Sequence, residues 1–310
     1  LFRRRGETER AIRMHQNLVE RDDLSEDLKL QALAELGQDY LKAGLLDRAE
    51  DVYGKLRGTA LDEDAKRNLL EIYQLEKDWA KAITIAEELP DVATHKEIAE
   101  YYCELAAAEM MRARPEAAAD FLRQALERNR KCVRASLLLG DMALQQERYE
   151  DAIACWQRIE QQDPAFLALV AQRMLDTFRK LQRRDAGLLL LRGYLERYPS
   201  LDLLDVVFQL VLESEGPESA YAMVRDELKR NPTLLGFDKL IEARSHIAPP
   251  ETRPDLDLAK SIVQGYTRRL ARYRCDNCGF KARQFYWRCP ACGGWETYSP
   301  KRTEEFDLAP

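Results

Sequence analysis

The chain is 310 residues long, enough for two ordinary domains or one extended repeat array. Charged residues make up 33% and hydrophobic ones 45%, while Gly (14) and Pro (12) are sparse, which argues against a sandwich or barrel with its many tight turns. The formal charge of −6 does not suggest a general nucleic-acid binder, and no stretch approaches the ~18 consecutive apolar residues of a membrane helix.

In chain order, Leu1-Phe2 reads as the end of one helix, and Gly6, Ala11, His15 and Leu18 fit the second helix of a hairpin. The chain does not begin with Met and half a hairpin is missing, so upstream residues are expected. The clearest repeating unit runs from Val133 to Phe166. It has Leu139-Gly140 in a first helix, Tyr149, Ala152 and Trp156 in a second, and Asp163-Pro164 closing it. Gly140 and Ala152 are small where two antiparallel helices cross closely, and Pro164 stops the helix. The same frame carries Leu36-Gly37 and Tyr40 to Ala49 and Tyr53, and Leu69 and Tyr73 to Ala82 and Ala86. It carries Leu105 and Ala106 to Ala118, Leu122 and Ala125, and Val207 and Phe208 to Ala220 and Val224. The stretch 167–199 fits loosely, with Ala186 and Leu190 in the expected places. This pattern resembles the tetratricopeptide repeat, and several matches in one register imply an all-α solenoid over 1–232 with a truncated first repeat.

After Pro232 the frame fades. The sequence predicts a helix over 233–246, a break at Ala248-Pro249-Pro250, and a second helix from Asp255 to about Arg272. On that second helix Leu256, Ala259, Ile262, Val263, Tyr266 and Leu270 share one face, so 233–272 reads as a connector seating a final module on the array.

That module, 273–310, contains Cys275, Cys278, Cys289 and Cys292: two C-x2-C pairs ten residues apart, each followed by glycine (Gly279, Gly293). Two intervening residues let a tight turn aim both sulfurs at one ion, and the glycine permits positive φ. Four thiolates make a closed tetrahedral site for one Zn2+ or Fe ion, structural because no position is left for water. Phe280, Phe285, Tyr286, Trp287 and Trp295 supply a small apolar cover. So small a module has little core of its own, and metal binding should supply most of its folding energy. The module resembles a rubredoxin-like or zinc-ribbon knuckle. Cys103, Cys132 and Cys155, scattered on helical patterns, read as small buried hydrophobes, and this usage fits a reducing, cytosolic compartment.

Repeats followed by such a knuckle resemble the lipopolysaccharide assembly protein B family of Gram-negative bacteria. The resemblance is carried by LFRRRGETERAIRMHQNL at the start, LGQDYLKAGLLDRAEDVY, IAEYYCELA, and RYRCDNCGF with YWRCPACGGW. It implies a non-enzymatic adaptor, held at the cytoplasmic face of the inner membrane by an N-terminal helix absent here. There it would help the protease FtsH degrade the deacetylase LpxC and so restrain lipopolysaccharide production.

The residues themselves support an interaction scaffold, with Arg134, Asp141 and Gln145 as candidate partner contacts in the best unit. For an enzyme they offer little: three histidines (His15, His95, His246), no His-Glu-x-x-His arrangement and no phosphate-binding glycine loop. His15 takes a repeat-core position. Nucleic-acid binding is the alternative, because Arg268, Arg269, Arg272, Arg274, Lys281, Arg283 and Arg288 form a basic stretch interleaved with aromatics. The same charges could face the repeats, an acidic partner or anionic lipid, and Arg268, Arg269 and Arg272 are carried forward as partner contacts. Whether the array forms a homodimer stays open.

Overall fold

The computed structural model describes residues 2–89, 94–267, 273–298 and 300. It divides into two compact units, Leu1–Cys132 and Val133–Pro310. The first holds α1 (Thr8–Val19), α2 (Glu26–Lys42), α3 (Leu46–Lys55), α4 (Asp62–Glu76), α5 (Trp79–Glu87), α6 (His95–Met111) and α7 (Pro115–Arg128). The second holds α8 (Val133–Gln145), α9 (Tyr149–Gln157), α10 (Ile159–Gln162), α11 (Leu167–Lys180), α12 (Arg184–Arg197), α13 (Leu201–Ser214), α14 (Pro217–Arg230), α15 (Leu234–Ile247) and α16 (Arg253–Thr267). A two-stranded ribbon follows, β1 (Tyr273–Arg274) and β2 (Lys281–Ala282). Within each unit helices pack on their sequence neighbours, and in the second unit α11 also packs on α13 and α13 on α15, which is the stacking of a tetratricopeptide array.

Each hairpin turns through one residue in the left-handed region: Gly44, Lys77, Ala113, Glu147, Gln182 and Gly216, with φ between 57° and 92°. In five of them the amide of the next residue donates back to a carbonyl five positions earlier. These are Leu45 to Tyr40, Asp78 to Tyr73, Arg114 to Glu109 and Arg148 to Ala143 at 2.9 Å, and Arg183 to Phe178 at 3.0 Å. That bond closes the last helical turn and satisfies a carbonyl that would otherwise lack a partner. Two hairpins use glycine for the turn; the other four hold a Cβ-bearing residue there against its preference.

The crossing between paired helices follows a simple exchange of bulk. Gly37 on α2 lies under the ring of Tyr53 on α3, and Gly140 on α8 under Trp156 on α9; a Cβ would come within 2.7 Å and 2.2 Å of those rings. At the same sixteen-residue offset stand Leu70 and Ala86, Ala106 and Leu122, Leu175 and Leu191, and Phe208 and Val224, all buried. No pair combines two aromatics, as a fixed interhelical gap requires. Twelve residues after each first-helix position comes a buried small residue: Ala49, Ala82, Ala118, Ala152, Gly187 and Ala220. Gly187 gives way to Phe178, whose side chain lies 2.9 Å from where a Cβ would stand. This corrects the register expected for 167–199 by one residue. Gly187 and Leu191 face inward, whereas Ala186 is exposed and Leu190 half-buried.

The helix at 253–267 departs from its expected role. Of the predicted apolar face only Val263 is buried; Ile262 and Tyr266 are 54% and 66% exposed, and Leu270 lies outside the described residues. The contact of α16 with α15 has a strong polar component: Lys260 Nζ lies 3.3 Å from Glu242 and Gln264 donates to Asp238 at 3.4 Å.

Two substitutions test this packing by chemical denaturation. Ala113→Gly should raise the unfolding free energy by about 0.5–1 kcal/mol, because glycine adopts the left-handed turn without the Cβ clash. Gly140→Ala should lower it by about 1–3 kcal/mol, because the added methyl must displace the Trp156 ring.

Candidate metal centre

The last module is built from two copies of one turn. In the first, the Gly279 amide donates to the Cys275 carbonyl (2.8 Å) and the Cys275 amide to the Phe280 carbonyl (2.9 Å). In the second, Gly293 donates to Cys289 (2.9 Å) and Cys289 to Gly294 (2.8 Å). Gly279 and Gly293 take φ of 75° and 71°. At Gly279 the nearest atom to an added Cβ is 3.9 Å away, so the conformation and not the space demands glycine there. The turns are held face to face by β1 and β2, in register Tyr273 with Ala282 and Arg274 with Lys281, and by bridges from Cys275 to Tyr298 and Arg288 to Trp295.

This arrangement converges the four cysteines. Cys275 and Cys292 Sγ are 3.8 Å apart, Cys278 and Cys289 3.7 Å, and all four sulfurs lie within 4.8 Å of one another. Thiolates about 2.3 Å from a tetrahedral ion stand about 3.8 Å apart, so the set fits one ion. Cys275 and Cys289 are buried, and Cys278 and Cys292 are exposed. Around them the Thr297 hydroxyl sits 3.3 Å from Cys275 Sγ and the Asn277 side-chain amide donates to Cys292 Sγ at 3.5 Å. Burial would push the Cys275 thiol up, yet the Thr297 hydroxyl and the amides of Cys278 and Asn277 pull it down to about 6. Cys292 is lowered, first by the Gly294 amide. Against the pull of the Phe280 amide, burial and the other three sulfurs push Cys278 up to about 12. Without an ion the cluster therefore retains a proton, which a metal must displace.

The aromatics do more than cover the ion. Trp287 stacks on Phe166, with ring centroids 5.5 Å apart and planes 7° from parallel; Phe285 meets both rings edge-on at 6.0 and 4.9 Å. The Arg134 guanidinium lies over Trp287 (5.8 Å) and Trp295 (6.0 Å). The module is thus seated on the α8–α11 repeat through Phe166 and Arg134. None of these seating groups lies on the described part of α16.

The proposed partner contacts fall differently from one another. Arg134 is only 9% exposed and committed to the knuckle's rings. Asp141 is half-buried, 3.4 Å from Arg173 Nε, and burial raises its carboxyl despite that charge. Gln145 is exposed. Arg268, Arg269 and Arg272 lie outside the described residues. His15 is partly buried and bonds Asp39 at 2.5 Å, and Arg3 Nε holds the other oxygen of the same fully buried carboxylate at 2.6 Å. Sequence reasoning missed Phe166 as an anchor; its only local signal is an apolar ring directly after the closing Asp163-Pro164-Ala165.

Fold and site together define a tetratricopeptide-repeat protein with a rubredoxin-type four-cysteine metal centre. Comparison with known families agrees: residues 273–300 match the rubredoxin metal binding domain and residues 103–165 the tetratricopeptide repeat. Lipopolysaccharide assembly protein B of Escherichia coli K12 is 33% identical over 307 residues, covering 97% of this chain and 79% of its own length. The Haemophilus influenzae protein of the same name is 31% identical over 315 residues, covering 98% and 78%. The chain belongs to the lipopolysaccharide assembly protein B family. Among solved structures, Pseudomonas aeruginosa pilF covers 77% of this chain at 15% identity with a TM-score of 0.38, a likeness too distant to carry an argument.

Acidification gives a test with a defined sign. The thiol at Cys275 is depressed below its ordinary value near 9, so its contribution is complete above that value and lost as pH falls through about 6. Ion release followed by a chromophoric chelator should therefore increase as pH falls, because acid returns protons to the thiolates, with the emission of Trp287 and Trp295 shifting to the red. Trp287→Ala should keep the ion at neutral pH but weaken the seat, by about 0.5–1.5 kcal/mol beyond lost area.

Proposed function

We propose that this chain is a non-catalytic adaptor in lipopolysaccharide assembly, coupling FtsH to degradation of LpxC at the cytoplasmic face of the inner membrane. The observation that carries the reading is the joining of a protein-binding repeat array to a metal-stapled module that rests on it through Phe166 and Arg134. The relatives' name supports the pathway. We divide the chain into repeats over 1–232, connecting helices over 233–272 and the metal module over 273–310. Among the described residues no helix is long and apolar enough to cross a membrane, so membrane attachment belongs to the proposal. Asp141 and Gln145, with Arg268, Arg269 and Arg272, are the side chains we assign to partner contact. The metal ion has a structural role: it holds the turn that presents Phe285 and Trp287 to the repeats.

The test is capture from native membranes by the wild-type chain, Cys275→Ser/Cys278→Ser and Trp287→Ala, read by mass spectrometry and by LpxC abundance in cells. The reading expects FtsH or LpxC with the wild type, at least about tenfold less with the cysteine pair changed, and LpxC accumulating in those cells. Trp287→Ala, which keeps the ion, should behave like the cysteine variant if seating is what the metal provides. Retention of mainly RNA or DNA, lost at moderate salt, would overturn the adaptor reading in favour of nucleic-acid binding by the basic module.

A further inference from the structure

Outside the knuckle the molecule brings two more cysteines together. Cys103 lies on α6, with Glu100 one turn earlier on the same face. The chain leaving α7 is folded back by a tight turn: the Lys131 amide donates to the Asn129 side-chain oxygen at 3.0 Å and the Cys132 amide to the Asn129 carbonyl at 2.9 Å. The turn delivers Cys132 onto α6, so that its Sγ is 3.7 Å from Cys103 Sγ and 3.8 Å from Glu100 Oε1. Exposures are 1% for Cys132 and 0% for the other two. All three ligand atoms lie within 4.8 Å of one another.

The sulfur separation matches the 3.7 and 3.8 Å pairs of the knuckle, the spacing two thiolates adopt around one small ion. Two sulfurs and a carboxylate in an enclosed site select thiophilic divalent ions over magnesium or calcium, which require more oxygen ligands and keep water. We propose that Cys103, Cys132 and Glu100 form a second metal site that takes one zinc ion. Binding exchanges two thiol protons for two metal–sulfur bonds, releasing both protons to solvent, while the Glu100 carboxylate provides the third donor. The site ties α6 to the segment that follows α7 and so staples a hairpin of the first unit, independently of the knuckle.

The experiment is metal stoichiometry of the full chain, loaded with zinc under a phosphine reductant, desalted and counted by plasma mass spectrometry. The site predicts about two ions per chain for the wild type. It predicts about one for Cys103→Ala/Cys132→Ala, and about one for Cys275→Ser/Cys278→Ser, in which only the buried site remains. Glu100→Gln, which keeps both thiols, should weaken the second ion by at least about tenfold and leave the first in place. Cadmium NMR of the unmutated chain decides the matter even if a variant fails to fold. Two resonances are expected, one of a four-sulfur site and one of a mixed sulfur–oxygen site. A single four-sulfur resonance, with about one ion per wild-type chain, overturns the proposal.

Discussion

The fixed gap between the two helices of each hairpin is the constraint on which the rest depends. Where the first helix offers glycine, as at Gly37 and Gly140, the second fills the space with Tyr53 or Trp156. Where it offers Leu70 or Phe208, the second withdraws to Ala86 or Val224. Close packing turns this into a rule about sums, so single positions vary widely while the hairpin keeps its geometry. The α8–α9 hairpin held this way carries Arg134, and the chain leaving it carries Phe166, the two groups on which the metal module rests.

The module in turn depends on its ion. Its own buried cluster amounts to Cys275, Cys289 and Tyr298, with Tyr273, Ala282, Phe285 and Tyr286 packed around them. Such a patch cannot offset the backbone entropy of some twenty-five ordered residues, at about 1–2 kcal/mol each. Metal–thiolate bonds supply the difference. Phe285 and Trp287 sit between the two turns in sequence, so order imposed by the ion is passed directly to the rings that meet Phe166. A structural metal thereby acts on a surface it does not touch.

Much of this was legible beforehand. The spacing of Cys275, Cys278, Cys289 and Cys292 and the glycines after each pair specify the knuckle because turn and ligand geometry are local. The hairpins follow from small residues at fixed intervals. Three things were hidden, each for a physical reason. The left-handed turns at Lys77, Ala113, Glu147 and Gln182 use residues that do not announce positive φ, since packing imposes it. The register of 167–199 slipped by one because Gly187, and not the adjacent Ala186, is the small residue set against Phe178. The seat at Phe166 and the meeting of Cys103 with Cys132 are long-range contacts that no spacing rule records. The apolar stripe of α16 misled for the converse reason: amphipathic spacing shows that a face could be buried, while Ile262 and Tyr266 remain in solvent.

In each C-x2-C pair the first sulfur is buried and the second faces solvent: Cys275 and Cys289 lie inside, Cys278 and Cys292 outside. An incoming thiol would reach a bound ion from the outer side, at Cys278 or Cys292, while Cys275 and Cys289 are shielded. Exchange of the ion would then begin as a stepwise substitution at the outer pair. Its rate would follow the concentration and basicity of the competing ligand, and because the module's order depends on the ion, that rate would also limit how long the module stays folded.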